Sequence, residues 1–213
     1  MASITKADDK QNWQQTKSQL TRQAILQAAV DCFYEYGYAN TSTAQIADKA
    51  QVSRGAMLHH FPSRAELVAA TVGYLNHQRV QLFTAEENAA QAGAEFTRID
   101  EGIDIYWRQL NTPTFIVFFE LKTAARTDLE LAAVLEPALA EYESAWLQTV
   151  IDLFPDLSKS NEFERATHLT QILLEGMAMA RAAHQNLPET LLLDWLKKEL
   201  NSSFSDVQGS IKR

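Results

Sequence analysis

The chain has 213 residues and a formal net charge of −8, with 46% hydrophobic and 22% charged residues, which excludes a disordered polar chain and a membrane-embedded one. Seven glycines and five prolines are too few for a loop-rich or strand-rich protein and point to helices joined by short connections. The single cysteine, Cys32, excludes an intramolecular disulfide and gives no metal-ligand spacing, so no cofactor and no metal is expected. Residues 1–19 lack a continuous apolar stretch and read as a flexible polar tail of a cytoplasmic protein. The most apolar run, 172–183, is interrupted by Glu175 and Arg181 and is too short to span a bilayer, so no membrane association is expected.

The charge is unevenly placed. Residues 1–70 carry seven Lys and Arg against six Asp and Glu, a balance of +1, while residues 71–213 carry twelve against twenty-one, a balance of −9. If the chain binds DNA, it does so through a small N-terminal surface, because the remainder repels phosphate.

In chain order, the first helix is predicted from Leu20 to about Tyr36, with Ile25, Ala29, Cys32, Phe33 and Tyr36 at helical spacing and Gly37 as a left-handed stop. Thr41, Ser42 and Thr43 are candidate caps for a short second helix, Thr43 to Lys49, with Ile46 and Ala47 on its inner face. Gln51 and Val52 form a tight turn, and Ser53 caps a third helix, Arg54 to His60. The fourth opens on a capping box, Ser63 to Glu66, and runs toward Phe83. Later boundaries are Thr112 with Pro113, a second capping box from Thr127 to Glu130, a stop at Phe154 and Pro155, and a start at Pro188; Pro137 predicts a kink. The expectation is an all-α protein of about nine helices: a tail over 1–19, a helix-turn-helix domain over 20–66, and a larger helical domain over 67–213.

Two short helices joined by a tight turn form a helix-turn-helix, whose second helix enters the major groove of a double-stranded DNA operator while the first braces it. On that reading Arg54 donates to guanine or phosphate, Gly55 and Ala56 let the backbone come close, His59 and His60 offer ring donors, and Arg64 faces the same side. Ser42, Thr43 and Ser53 at the helix starts, with Lys17 and Arg22 on the arm, complete the candidate DNA-binding set; Arg22 could instead pair with Glu35 or Asp31.

The stretch TRQAILQAAVDCFYEYGYANTSTAQIADKAQVSRGAMLHHFPSRAEL, Thr21 to Leu67, closely resembles the DNA-binding domain of the TetR family of repressors. The resemblance implies a DNA-binding regulator, with helical architecture beyond Leu67. Two positions depart from the pattern: Leu58 stands where a phosphate-contacting Tyr is common, and Gln51 where the turn is often Gly.

In the larger part, the segment from Phe163 to His184 places Leu169, Ile172, Leu173, Leu174, Met177 and Met179 around most of a helix, with Gly176 and Ala180 small enough for close approach. The last helix carries Leu191, Leu192, Trp195, Leu196 and Leu200 on one face. Two such helices per chain make a four-helix bundle across a twofold axis, the homodimer that the resemblance also implies; the alternative is that both close the core of one chain. The aromatic set Tyr106, Trp107, Phe115, Phe118, Phe119, Tyr142 and Trp146, with Met177, Glu120 and Arg126, is either plain core or a pocket for a small, mostly apolar effector. Glu120 and Arg126 could equally be an ion pair.

A helical-bundle metalloenzyme is disfavoured, because none of the five histidines follows a Glu by three residues, and Glu164 with His168 alone makes a weak pair. There is no Gly-rich phosphate loop or nucleophile motif. The sequence therefore predicts a non-enzymatic regulator that represses and is released by an effector, with a ligand-free regulator as the alternative.

Overall fold

The computed structural model describes residues 6–91 and 99–205. Among them, every regular element is helical: α1 (Lys6–Tyr36), α2 (Thr43–Lys49), α3 (Arg54–His60), α4 (Arg64–Gln91), α5 (Ile99–Leu110), α6 (Pro113–Ala125), α7 (Leu129–Leu153), a 3-10 turn (Leu157–Lys159), α8 (Phe163–Ala182) and α9 (Glu189–Ser203). The all-α expectation holds.

The chain divides into two compact units, one comprising residues 1–75 and 117–136, the other 76–116 and 137–213. The division differs from the expected boundary at 66 because α4, α6 and α7 each contribute to both units.

In the first unit α1 packs on α2 and α2 on α3. The core is Ile25, Ala29, Cys32 and Phe33 of the predicted stripe, joined by Ile46, Ala47, Met57, Phe61, Leu67 and Val72, all buried, and by Leu121 and Leu135 from the later segment; Tyr36, the last member of that stripe, is exposed instead. Burial pushes the Cys32 thiol above its ordinary value, so it stays protonated. Gly37 ends α1 at φ 82°, as its position in the sequence required.

Three local expectations are corrected at helix starts. Residues 6–19, expected as part of a tail over 1–19 whose first five residues lie outside those described, continue α1; their polar sequence lacks an apolar stripe but also lacks Pro and Gly, and Lys, Gln and Ala favour a helix without one. The cap of α7 is Asp128, whose carboxylate accepts from the Leu131 amide at 3.0 Å, while the Thr127 hydroxyl turns back to the Ala124 carbonyl at 3.4 Å. At α4 the Glu66 amide donates to Ser63 Oγ at 3.1 Å, but Glu66 itself accepts from the Ser63 hydroxyl, so only half of the expected box forms.

In the second unit α5 packs against α8 and α9. Buried Ile103, Tyr106, Leu110, Trp146, Phe163, Leu174, Met177, Leu196 and Phe204 supply its core. The helix α7 runs on through Pro137, which lacks the amide that would serve the Ala133 carbonyl. No described helix is long and apolar enough to cross a membrane.

Candidate functional site

The first unit presents a capped helix-turn-helix. Ser42 and Gln45 form a reciprocal capping box on α2: the Gln45 amide donates to Ser42 Oγ at 3.3 Å and the Ser42 amide to Gln45 Oε1 at 2.8 Å. Thr41, the neighbouring candidate, is buried instead, its hydroxyl 2.8 Å from the Gly37 carbonyl and 3.1 Å from that of Cys32. The turn places Gln51 at φ 56°, the left-handed conformation usually given to Gly, at a cost of about 1–2 kcal/mol for a residue with a Cβ. Ser53 caps α3 by accepting the Ala56 amide at 3.1 Å.

On α3 only Met57 is buried; Arg54, Gly55, Leu58 and His59 are exposed, and Ala56 and His60 are half-exposed. A Cβ on Gly55 would meet nothing closer than Ser53 Oγ at 3.9 Å, so internal packing does not demand glycine there. A glycine on an exposed helical face lets another backbone or a phosphate come near. Burial, then the neighbouring charges of His59 and Arg22, hold His60 below its ordinary value, leaving the ring neutral near pH 7.

The remaining predicted contacts divide. Lys17 is exposed on α1, its ammonium 5.3 Å from the Trp13 ring, and Arg22 lies 4.9 Å from the Phe61 ring. Glu35, one of the alternative partners of Arg22, is paired with Lys49, and Asp31 accepts from Gln27 at 2.9 Å. Arg64 is used internally: its guanidinium donates to the Thr41 carbonyl at 2.5 Å and the Tyr38 carbonyl at 3.0 Å, and lies 5.2 Å from the Tyr38 ring.

Tyr38 was not singled out by the sequence, yet it gathers the domain. Its amide donates to Glu120 Oε1 at 2.7 Å and its hydroxyl to Asp128 at 3.1 Å. Burial and the adjacent carboxylate keep the phenol protonated, and the Leu131 amide, with help from Tyr38, holds Asp128 below its ordinary value. Glu120 is thus committed to the α1–α2 connection, and Arg126 is exposed.

The predicted ligand set is distributed between the units. Phe118, Phe119, Glu120 and Arg126 belong to the first, and Tyr106, Trp107, Phe115, Tyr142, Trp146 and Met177 to the second. The second unit contains a cavity of about 90 Å³ whose walls include Ile103, Tyr106, Trp146, Leu153, Phe154, Phe163, Leu200 and Phe204, with Thr167 and Thr170 as polar points. Tyr106 and Trp146 pack with ring planes tilted by 42° and centroids 5.6 Å apart, and the Tyr106 hydroxyl, whose pKa burial drives well above its ordinary value, donates to Glu175 at 3.2 Å. Most of this lining escaped the sequence reading, because isolated Ile, Leu and Phe positions on α5, α7, α8 and α9 look like ordinary core. Beside it lies a residue equally unforeseen: Arg79 of α4, 8% exposed, its guanidinium 3.6 Å from the Tyr142 ring centre and 5.9 Å from that of Phe115. Among the described residues, no three His, Cys, Asp or Glu side chains group as metal ligands.

On α8 and α9, Leu169, Ile172, Gly176 and Trp195 are exposed, with Ile172 at 69% and Trp195 at 54%; Leu173, Ala180 and Leu192 are half-buried. Leu196, expected on the same face, points inward and is buried. Leu191, expected on that face as well, is 65% exposed.

Residues 25–71 match the family of bacterial regulatory proteins named tetR, a span that includes the whole helix-turn-helix. That segment is a TetR-family DNA-binding domain. An uncharacterized HTH-type transcriptional regulator of Mycobacterium tuberculosis is 32% identical to this chain over 131 residues, 62% of this chain and 66% of the relative, so the match spans just under two thirds of that protein. The architecture is similar to that of Salmonella enterica GusR, with a TM-score of 0.60 at 17% identity over 94% of this chain and 98% of the other. It is also similar to that of the multidrug binding protein EbrR complexed with imidazole, with a TM-score of 0.55 at 21% identity over 83% and 93%. At those identities the two structures speak for the TetR fold alone, and the helix-turn-helix carries the DNA-binding assignment.

Proposed function

We propose that the chain is a homodimeric repressor that occupies a pseudo-palindromic DNA operator and releases it when a small, mostly apolar effector enters the second unit. The observation that carries the reading is the exposed face of α3, where Arg54, Gly55 and His59 stand clear of the core on a helix fixed by the Ser53 cap. A recognition helix needs such a face: donors for base edges and phosphates, and small residues that permit close approach.

Dimerisation is supported by the apolar stripe of Leu169, Ile172, Leu191 and Trp195, left exposed on two helices that pack together. A second copy of the chain covers it with a self-complementary surface. Gly176 within that stripe meets nothing in its own chain, which suits a close helix-helix crossing.

The effector reading is supported by the cavity around Tyr106 and Trp146, whose chemistry is apolar with two threonine hydroxyls. That a protein of similar fold is a multidrug binding protein agrees with it. Its volume of about 90 Å³ is smaller than the ~150 Å³ that admits benzene, so a ring enters with movement of lining side chains such as Phe154.

Calorimetry with operator DNA tests the whole reading. The dimer binds a palindrome whose half-sites are about 34–36 Å apart. By linkage, an effector that lowers operator affinity by a given factor binds the operator complex more weakly by the same factor. Equal effector affinity for free and DNA-bound dimer overturns the release mechanism and leaves a regulator without effector control.

A further inference from the structure

Leu58 is the one large apolar side chain exposed on α3, at 53%. The register of the helix fixes its company. Met57 alone is buried and marks the inner side. At about 100° per residue, Gly55 and His59 point most nearly away from Met57, Arg54 and Leu58 share one flank, and Ala56 and His60 share the other. Arg54 and Leu58 stand four residues apart, which sets their Cβ atoms about 5–6 Å from one another. Gly55, three residues before Leu58, has no side chain to cover it, and a Cβ there would meet nothing nearer than Ser53 Oγ at 3.9 Å.

We propose that Leu58 reads a thymine: its side chain packs on the C5-methyl group of one thymine in each operator half-site, one or two base pairs from the base that Arg54 contacts. The inference rests on the reading of α3 as the recognition helix and adds a sequence requirement to it.

The chemistry of the groove leaves Leu58 one partner. Its side chain neither donates nor accepts, so base edges that offer hydrogen bonds give it nothing. The major groove displays one apolar group, the thymine methyl, which the other three bases lack. Packing there takes both apolar surfaces out of water together, whereas beside a phosphate the leucine would displace hydration from a charge and form no bond in return. A tyrosine hydroxyl at this position would extend well past the end of a leucine, so Leu58 stops short of a phosphate that a tyrosine would reach. Base pairs rise about 3.4 Å per step, so the spacing from Arg54 to Leu58 spans one or two of them.

A duplex chosen by the purified full-length protein from a pool of random DNA serves as the probe. Its thymines are replaced by deoxyuridine, which removes only the methyl group, one symmetric pair at a time, and binding is followed by fluorescence anisotropy. At one pair of positions wild type is expected to lose about fourfold in affinity per half-site, the worth of one buried methyl. Leu58→Ala should bind thymine and deoxyuridine alike at that pair and keep the wild-type response elsewhere. Its melting temperature should match wild type, because the position is exposed. Leu58→Met, which keeps an apolar tip, should retain most of the discrimination.

Three results overturn the thymine contact: no thymine of the chosen duplex senses the loss of its methyl, or Leu58→Ala keeps the discrimination, or Leu58→Ala weakens every duplex by the same factor. Arg54→Ala separates these from a failure of the recognition helix itself. If Arg54→Ala weakens binding while one of the three holds, α3 remains the reading helix and only the thymine contact falls. If Arg54→Ala binds the chosen duplex as wild type does, or if the pool yields no preferred duplex, both readings fall.

Discussion

The hydroxyl of Tyr38 donates to the carboxylate of Asp128 at 3.1 Å, a bond that ties the connection between α1 and α2 to the start of α7. The same residue accepts from Arg64 through its carbonyl and donates through its amide to Glu120. One side chain and its backbone thus join the α1–α2 connection to Arg64 of α4, Glu120 of α6 and the cap of α7. Glu120→Ala leaves the Tyr38 amide without its acceptor and is expected to cost about 1–3 kcal/mol in a chemical denaturation curve. A loss below a few tenths would mean that water replaces the carboxylate.

Arg54 and Arg64 are both positively charged and both near the reading helix, yet they should behave differently. Arg54 is exposed, so Arg54→Ala should leave the melting temperature unchanged and weaken operator binding by about 1–3 kcal/mol if it reads a base, or lower the salt slope by about one ion if it holds a phosphate. Arg64→Ala removes two bonds to carbonyls and should lower the melting temperature as well as DNA affinity. Thermal melts beside titrations across salt concentration separate the two; identical profiles would refute the distinction.

At the exposed stripe, Ile172→Asp and Gly176→Arg should convert the dimer to a folded monomer. Neither position is packed within its own chain, so the helical signal survives while the mass in light scattering halves. Leu196→Asp, at a buried position, should instead unfold the chain. Variants that remain dimeric would move the interface elsewhere.

His60 predicts a pH effect with a definite sign. Its folded value lies below the ordinary 6.5, chiefly through burial, so the unfolded chain binds the proton more readily. Stability from this group is complete above about pH 6.5 and falls as the pH drops through the folded value. His60→Gln should flatten that acid limb in urea melts, and an unchanged slope would assign the loss to other groups.

Gly37 ends α1 at φ 82°, and a Cβ there would come within 3.0 Å of Glu120 Oε1. Gly37→Ala should therefore destabilise by at least about 1–2 kcal/mol from backbone strain alone. Thermal unfolding at equal concentration measures it.

The helix-turn-helix was legible because short helices declare themselves by caps and by tight internal stripes: Ser42 and Ser53 mark the starts, Ile46, Ala47 and Met57 the inner faces. The N-terminal part of α1 was not, since periodicity registers only helices that bury one face. Arg79 was missed because an arginine reads as a solvated charge. Its spacing from buried Val72, Leu75 and Asn76 was the available signal, placing it on the inner face of α4. The aromatic cluster at 115–119 was visible, but one helix carries it through the boundary of two units, a division that depends on distant packing and leaves no mark in local sequence.

That division bears on how such a protein can be recombined. A reading head cut out at residue 75 would keep α1 to α3 yet leave behind Glu120 and Asp128, which hold Tyr38 from another stretch of chain. The head is therefore not a transferable cassette in the linear sense: a chimera that grafts this specificity onto another scaffold must bring residues 117–136 along with the first 75, or rebuild their two carboxylates in the host.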